Sequence, residues 1–136
     1  MKIDNDYLLD SLCIFDKHRG VDDDFIQSRL IGSPIVHMDI DEISRLIAEY
    51  IENKIESDAQ LLSTALFVLG KTYANQYKNL YFSVMKSAQK SNPSACYQAA
   101  IAIENLGEQV FLERFEPTDI ESVLSSINVY LAANAI

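Results

Sequence analysis

Glycine and proline are scarce in this chain, four and three among 136 residues. That scarcity argues against an all-β domain, which needs a turn at every strand end, and favours helices joined by short connections. Histidine is rarer still: His18 and His37 stand alone, and neither lies in a His-Glu-x-x-His or comparable ligand spacing. No metal is expected. His18 with Asp16 and Asp22 across a glycine turn reads as a solvated helix end. The run Asp22-Asp23-Asp24 lacks the alternating ligands, central glycine and closing glutamate of an EF-hand, so it reads first as helix capping and dipole compensation. The two cysteines, Cys13 and Cys96, sit among apolar neighbours and read as buried thiols of a reducing, cytoplasmic compartment rather than a disulfide or redox pair. Neither has a histidine close in sequence, and neither a nucleophile elbow nor a glycine-rich phosphate loop occurs. The chain is therefore expected to bind rather than to catalyse, without a cofactor.

Long hydrophobic runs are also missing. The segment Met1 to Asp6 carries no apolar stretch of the kind a secretion signal requires. The longest uncharged run, Ser122 to Ile136, contains serines and asparagines and falls short of the ~18 apolar residues expected of a spanning helix. No membrane span is expected. Hydrophobic residues nevertheless make up 49% of the chain and charged residues 23%, the balance of a globular protein. At this length one core is expected, removing roughly 70% of the unfolded surface from water. Residues 1–136 are read as a single α-helical domain, with acidic helices over 1–56 and repeat-like hairpins over 57–136.

Acidic groups are absent from Ala59 to Ile103, where Lys71, Lys78, Lys86 and Lys90 make the net charge +4. Met1 to Asp58, by contrast, holds 14 acids against 6 bases, and Glu104 to Ile136 holds six acids and Arg114, for a total of −9. Such a dipolar molecule repels nucleic acid and anionic lipid and attracts a basic partner through a field that steers encounter. The same acidity also serves solubility.

The helical period recurs along the chain. Tyr7, Leu8, Leu12 and Phe15 fit a first helix capped by Asp4 or Asn5 and closed before Gly20. Asp22 is the expected cap of a short helix carrying Phe25, Ile26 and Leu30, ended by Gly32-Ser33-Pro34, with Ile35, Val36 and His37 as a brief extended connection. Asp39 and Glu42 are spaced as a capping box ahead of Ile43, Leu46, Ile47, Tyr50 and Ile51. The opposite face of that helix carries Glu42, Arg45, Glu49 and Glu52. Ser57 and Gln60 predict a second capping box, opening a helix through Leu62, Ala65, Leu66 and Leu69 to Gly70. A helix follows from about Tyr73 or Tyr77 to Lys90, stopped by Asn92-Pro93. Ser94 then precedes Ala99, Ala102, Ile103, Leu106 and Gly107 in the arrangement seen thirty-seven residues earlier, an internal repeat. A short segment from Gln109 to Phe115 takes the next helical place, and Thr118 with Glu121 opens a last helix through Val123, Leu124, Ile127 and Leu131. The expected fold is all-α, about seven or eight helices stacked as antiparallel hairpins.

Leu66, Leu69, Gly70 and Tyr73, followed by Tyr81, Met85, Ala88 and Pro93, resemble the tetratricopeptide signature. One residue is missing between its halves, Tyr81 stands where the family prefers a small residue, and the next unit keeps Leu106-Gly107 but has Val110 in place of the tyrosine. The resemblance covers about fifty residues and implies the α-α packing that tetratricopeptide, Sel1-like and HEAT-like repeats share.

In size, acidity and helical build the chain is similar to the immunity proteins of bacterial contact-dependent inhibition and other polymorphic toxin systems. That resemblance implies a basic protein partner, a toxin domain and commonly a nuclease, whose active site is covered by carboxylates standing where phosphates would. The candidate residues are Asp22, Asp23, Asp24, Asp39, Asp41, Glu42, Glu49 and Glu52, with Tyr77 and Tyr81 as aromatic contacts. Tyr73, Tyr77 and Tyr81 are spaced four apart and share a face if one helix covers them. They line the groove of the alternative, a helical-repeat adaptor or secretion chaperone that holds a peptide or protein segment.

Overall fold

Seven α-helices make up the regular structure of the residues that the computed structural model describes, namely 2–53, 58–112 and 116–134, and no strand occurs among them. They are α1 (Asn5–His18), α2 (Asp24–Leu30), α3 (Ile40–Asn53), α4 (Ala59–Gly70), α5 (Lys78–Ser87), α6 (Pro93–Asn105) and α7 (Ile120–Ala133); a 3₁₀ turn at Asn75–Tyr77 leads into α5. The all-α fold of seven or eight helices expected from periodicity is the fold observed.

Aspartate or asparagine caps five of these helices, α1, α2, α4, α6 and α7. The carboxylate of Asp4 accepts from the Tyr7 N–H at 2.8 Å, Asp23 from Ile26 at 2.9 Å, Asp58 from Leu61 at 3.0 Å and Asp119 from Ser122 at 3.3 Å, while the side-chain oxygen of Asn92 accepts from Ala95 at 3.2 Å. A carboxylate both satisfies an orphan N–H and faces the positive end of the helix, which is worth about 1 kcal/mol per cap. Several expected caps move accordingly. Asp23 rather than Asp22 caps α2; Asp58 caps α4, the expected Ser57 lying outside the described residues; Ser94 lies inside α6, which Asn92 caps with Pro93 at its first position; and Asp119 replaces Thr118 ahead of α7. Glu42 turns to Arg45 instead of reaching back to close a capping box.

Two connections differ from expectation. Ile35 to His37 is a turn, not an extended link: the N–H of Val36 bonds to the Ser33 carbonyl and that of Met38 to the Ile35 carbonyl, and Ile35 is fully buried. Closing the backbone onto itself lets the chain drive an apolar side chain inward without stranding its peptide groups. Residues 108–112 are irregular, because the Glu104 carboxylate at the end of α6 takes the N–H groups of Val110 (3.2 Å) and Phe111 (3.0 Å) that would otherwise enter a helix; residues 113–115 of that expected helix lie outside the described residues.

The core is centred on α4 and α6, the most extensively packed pair. They run side by side in the same direction. Asn92, before α6, donates to the Ala59 carbonyl at the start of α4 (3.0 Å), and Asn105, at the end of α6, donates to the Gly70 carbonyl at the end of α4 (3.2 Å). Ala65 and Gly70 of α4 and Ala95, Ala99 and Ala102 of α6 are all buried, and small side chains let backbones approach. A Cβ at Gly70 would sit 3.0 Å from the Ala102 Cβ. The matching glycine of the internal repeat works differently: Gly107 is exposed, has φ +95° and turns the chain out of α6. α5 and α7 also pack on α6, Phe82 of α5 meeting Tyr130 of α7 with ring centroids 6.2 Å apart, and α1 and α3 pack on α4. One hydrophobic cluster thus joins the acidic amino-terminal helices, through Leu8, Phe15, Ile43, Ile47 and Ile51, to the later ones through Leu66, Tyr81, Met85, Ile103 and Ile127. α2 stands apart. It packs on α1 over a satellite cluster of Cys13, Ile26 and Leu30.

Candidate functional site: the acidic face of the amino-terminal helices

α2 is seven residues long, so only one stripe of it can reach α1. Ile26 and Leu30, one turn apart, form that stripe and are buried. Phe25, expected beside them, points away and is 59% exposed. At the amino end Asp23 is committed to its cap, whereas Asp22 and Asp24 are exposed. The carboxy-terminal end is fastened by Arg29, whose Nε donates to Asp10 Oδ1 at 2.6 Å and whose Nη2 donates to Asp6 Oδ1 at 3.0 Å. Ser33 completes the latch by donating to Asp10 Oδ2 at 2.8 Å. Asp10 is 5% exposed, and its hydrogen bonds satisfy a carboxylate that would otherwise be costly to bury. The same bonds, that from Asp10 foremost, raise the Arg29 pKa above its ordinary value. Spacing rules did not reveal this latch. The one available signal was a lone acid on the apolar side of α1, three residues after Tyr7.

Beside the latch lies a cleft of about 590 Å³ between the start of α1, α2 and the 31–35 turn. Asp4, Asp6, Asp10, Arg29 and Ile31 are among its walls, and Ile31 is 82% exposed.

On α3 the residues Ile43, Ile47 and Ile51 are buried, as their period requires, and the acids stand on the opposite side. Arg45 pairs with two of them, bonding Glu42 through Nη2 and Nε at 2.6 and 3.2 Å and Glu49 through Nη1, and leaves the trio one net negative charge. Asp39, Asp41 and Glu52 are exposed, and among the described residues no ion pair engages them, nor Asp22 and Asp24. Tyr7 of α1 lies near this group. Burial foremost, with the Glu42 charge adding and Arg45 opposing, pushes its phenol up to about 12. Its buried hydroxyl, like that of Tyr50, has no hydrogen-bond partner among the described residues.

The tyrosines do not form the expected stripe. Tyr73 precedes the 3₁₀ turn with φ +54°, outside any helix, and its exposed ring lies 4.6 Å from the Arg19 guanidinium carbon. Tyr77 ends the 3₁₀ turn half-buried. Tyr81, expected as a partner contact, is 1% exposed and sits in the core, where burial raises its pKa. It has no surface to offer a partner in this fold. His18 and His37 are exposed, and no group of three His, Cys, Asp or Glu among the described residues is arranged to hold a metal ion. Cys13 and Cys96 are free and buried. No helix among the described residues is long and apolar enough to cross a membrane.

Comparison with protein-family models, with curated proteins and with solved structures finds no match.

Proposed function

We propose that this chain is the immunity protein of a bacterial toxin system: in the cytoplasm it binds and neutralises a basic toxin domain, a nuclease, by covering its active site with carboxylates. The observation that carries the reading is that five exposed acids without an ion pair among the described residues, Asp22, Asp24, Asp39, Asp41 and Glu52, gather on the amino-terminal helices, against Glu116 and Glu121 near the start of α7. Asp23 is committed to its helix end and Glu42 and Glu49 to Arg45. The unpaired acids keep their field for a partner, and a nuclease groove built for phosphates is complementary to them. The peptide-holding alternative loses support, because its tyrosine groove is divided between core and surface.

The test is association with the basic domain encoded next to this chain's own reading frame. Asp22→Asn with Asp24→Asn, leaving the Asp23 cap in place, is expected to slow association roughly tenfold at low salt and to flatten its salt dependence. An unchanged rate and slope, repeated for Asp39, Asp41 and Glu52, would overturn the reading.

A further inference from the structure

α2 carries a surface that neither the core nor the latch explains. Phe25 and Ile31 are 59% and 82% exposed, an expensive use of large apolar groups on a helix this short. By helical spacing Phe25 stands one turn before Ser28 and Arg29, and both of those residues line the cleft at the start of α1. Ile31 lies on the cleft wall itself. The arrangement therefore runs from Asp22 and Asp24 at one end of α2, over Phe25, to Ile31 and the cleft at the other, about 10 Å along the helix axis. Acids mark both ends. In the cleft Asp4, Asp6 and Asp10 outnumber Lys2 and Arg29, and the Asp6 side chain is 86% exposed even while it holds Arg29.

From this we infer that α2 and the adjoining cleft form the docking surface for an amphipathic basic segment of the partner protein. A lysine or arginine enters the cleft toward Asp6, which shares the single charge of Arg29 with Asp10 and so leaves the three groups net negative; apolar side chains cover Phe25 and Ile31, and a further cation meets Asp22 and Asp24. The occupant follows from charge complementarity. An acidic or neutral apolar segment would cover Phe25 and Ile31 equally well but would set its ends against carboxylates, whereas a basic one gains at both. Large apolar anchors ringed by charged groups are where binding energy concentrates in protein interfaces. The inference rests on the proposed basic partner and adds which face receives it: α2, not α3.

The probe is a short amphipathic peptide of lysine and leucine, with glutamate replacing lysine in its control, titrated into the isotopically labelled full chain and followed by backbone amide shifts. Saturable shifts confined to Asp4, Asp6 and Asp22 to Ser33, seen with the lysine peptide alone, are expected. Phe25→Ser with Ile31→Ser should weaken that binding at least about tenfold and leave Tm nearly unchanged, since both side chains are largely in solvent. Ile120→Ser, at an equally apolar position on α7 that is 50% exposed, should leave binding intact. Shifts centred on Asp41, Glu49 and Glu52, insensitive to the double variant, would overturn this surface while the basic-partner reading stands. Absence of saturable lysine-peptide binding also overturns the surface. Equal binding of both peptides would overturn the surface and the basic-partner reading together.

Discussion

Gly70→Ala isolates the contact on which the central pair of helices depends. Gly70 is the last residue of α4, and an added Cβ would meet the Ala102 Cβ at 3.0 Å, its Cα at 3.3 Å and the Asn105 Nδ2 at 3.5 Å. The first two atoms belong to the body of α6 and cannot swing aside, so the helices must part by a few tenths of an ångström. Separation loosens the seam around the fully buried Ala65, Leu66, Ala99 and Ile103 and strains the Asn105 bond to the Gly70 carbonyl. Overpacking of this kind costs about 1–3 kcal/mol. Against it stands the helix-propensity gain of alanine over glycine, at most about 1 kcal/mol and smaller at a helix end. The net expectation is a loss of about 1–2 kcal/mol, or a fall in Tm of roughly 3–8 °C for a domain of this size.

The partner variant makes the reasoning refutable. Ala102→Gly alone removes a buried methyl, worth about 0.8 kcal/mol, and places glycine inside α6 at a cost of about 1 kcal/mol. Combined with Gly70→Ala it moves the methyl from one helix to the other and relieves the collision. Urea denaturation of the four proteins should therefore give a double variant about 1–3 kcal/mol more stable than the sum of the single effects predicts. A Gly70→Ala protein as stable as the parent, or additive losses in the double variant, would show that close approach is not why glycine stands there.

Two further outcomes follow from the buried groups. Asp10→Ala removes the acceptor shared by Arg29 and Ser33, so hydrogen exchange should accelerate at least roughly tenfold from Ile26 to Ile35 while α4 and α6 keep their protection; uniform loss, or none, would contradict the satellite character of α2. Burial pushes the Cys96 thiol up to about 11 from its ordinary value of 9.0, so the unfolded chain releases that proton first as pH rises. The contribution is complete below pH 9 and lost on the way to 11, with a slope approaching 1.4 kcal/mol, about one proton's worth, per pH unit. Cys96→Ala should show a shallower decline across that window, and an unchanged slope would refute the assignment; the Cys13 thiol, also raised by burial, adds to the same window, and the Tyr7 and Tyr81 phenols add losses from about pH 10 upward, in the parent and the variant alike.

The helices were legible because their signals are local. Ile43, Ile47 and Ile51 repeat at the helical period and are buried, and Gly20, Gly32 and Gly107 stand where helices have ended. What stayed hidden depends on residues distant in the chain. Asp10 meets Arg29 and Ser33, 19 and 23 positions away, separations to which no helical spacing rule applies. Phe25 reads as core by composition alone; that Ile26 and Leu30 take the only face able to reach α1 becomes clear once α2 is known to be a single short helix lying on one neighbour. The internal repeat was read from two Leu-Gly pairs, but Gly70 admits a neighbouring helix and Gly107 turns the chain, two physical demands that the same residue meets.

The candidate site divides along the same line. Its eight acids look equivalent in sequence, yet Asp23 is spent on a helix end and Glu42 and Glu49 on Arg45. A net charge of −9 therefore misplaces the strength of the outward field. At physiological salt a charge is screened within about 8 Å, so a partner approaching the surface responds to the charge left locally after pairing. Asp22 and Asp24 flank the exposed Phe25, whereas Asp41 and Glu52 stand towards the two ends of α3, where Glu42 and Glu49 share the single charge of Arg45 and no large apolar side chain is exposed among the described residues. Among the described residues of the amino-terminal helices, exposed acids and exposed large apolar side chains coincide at α2, which is why loss of Phe25 and Ile31, more than loss of any single carboxylate, is expected to govern how long a partner stays bound.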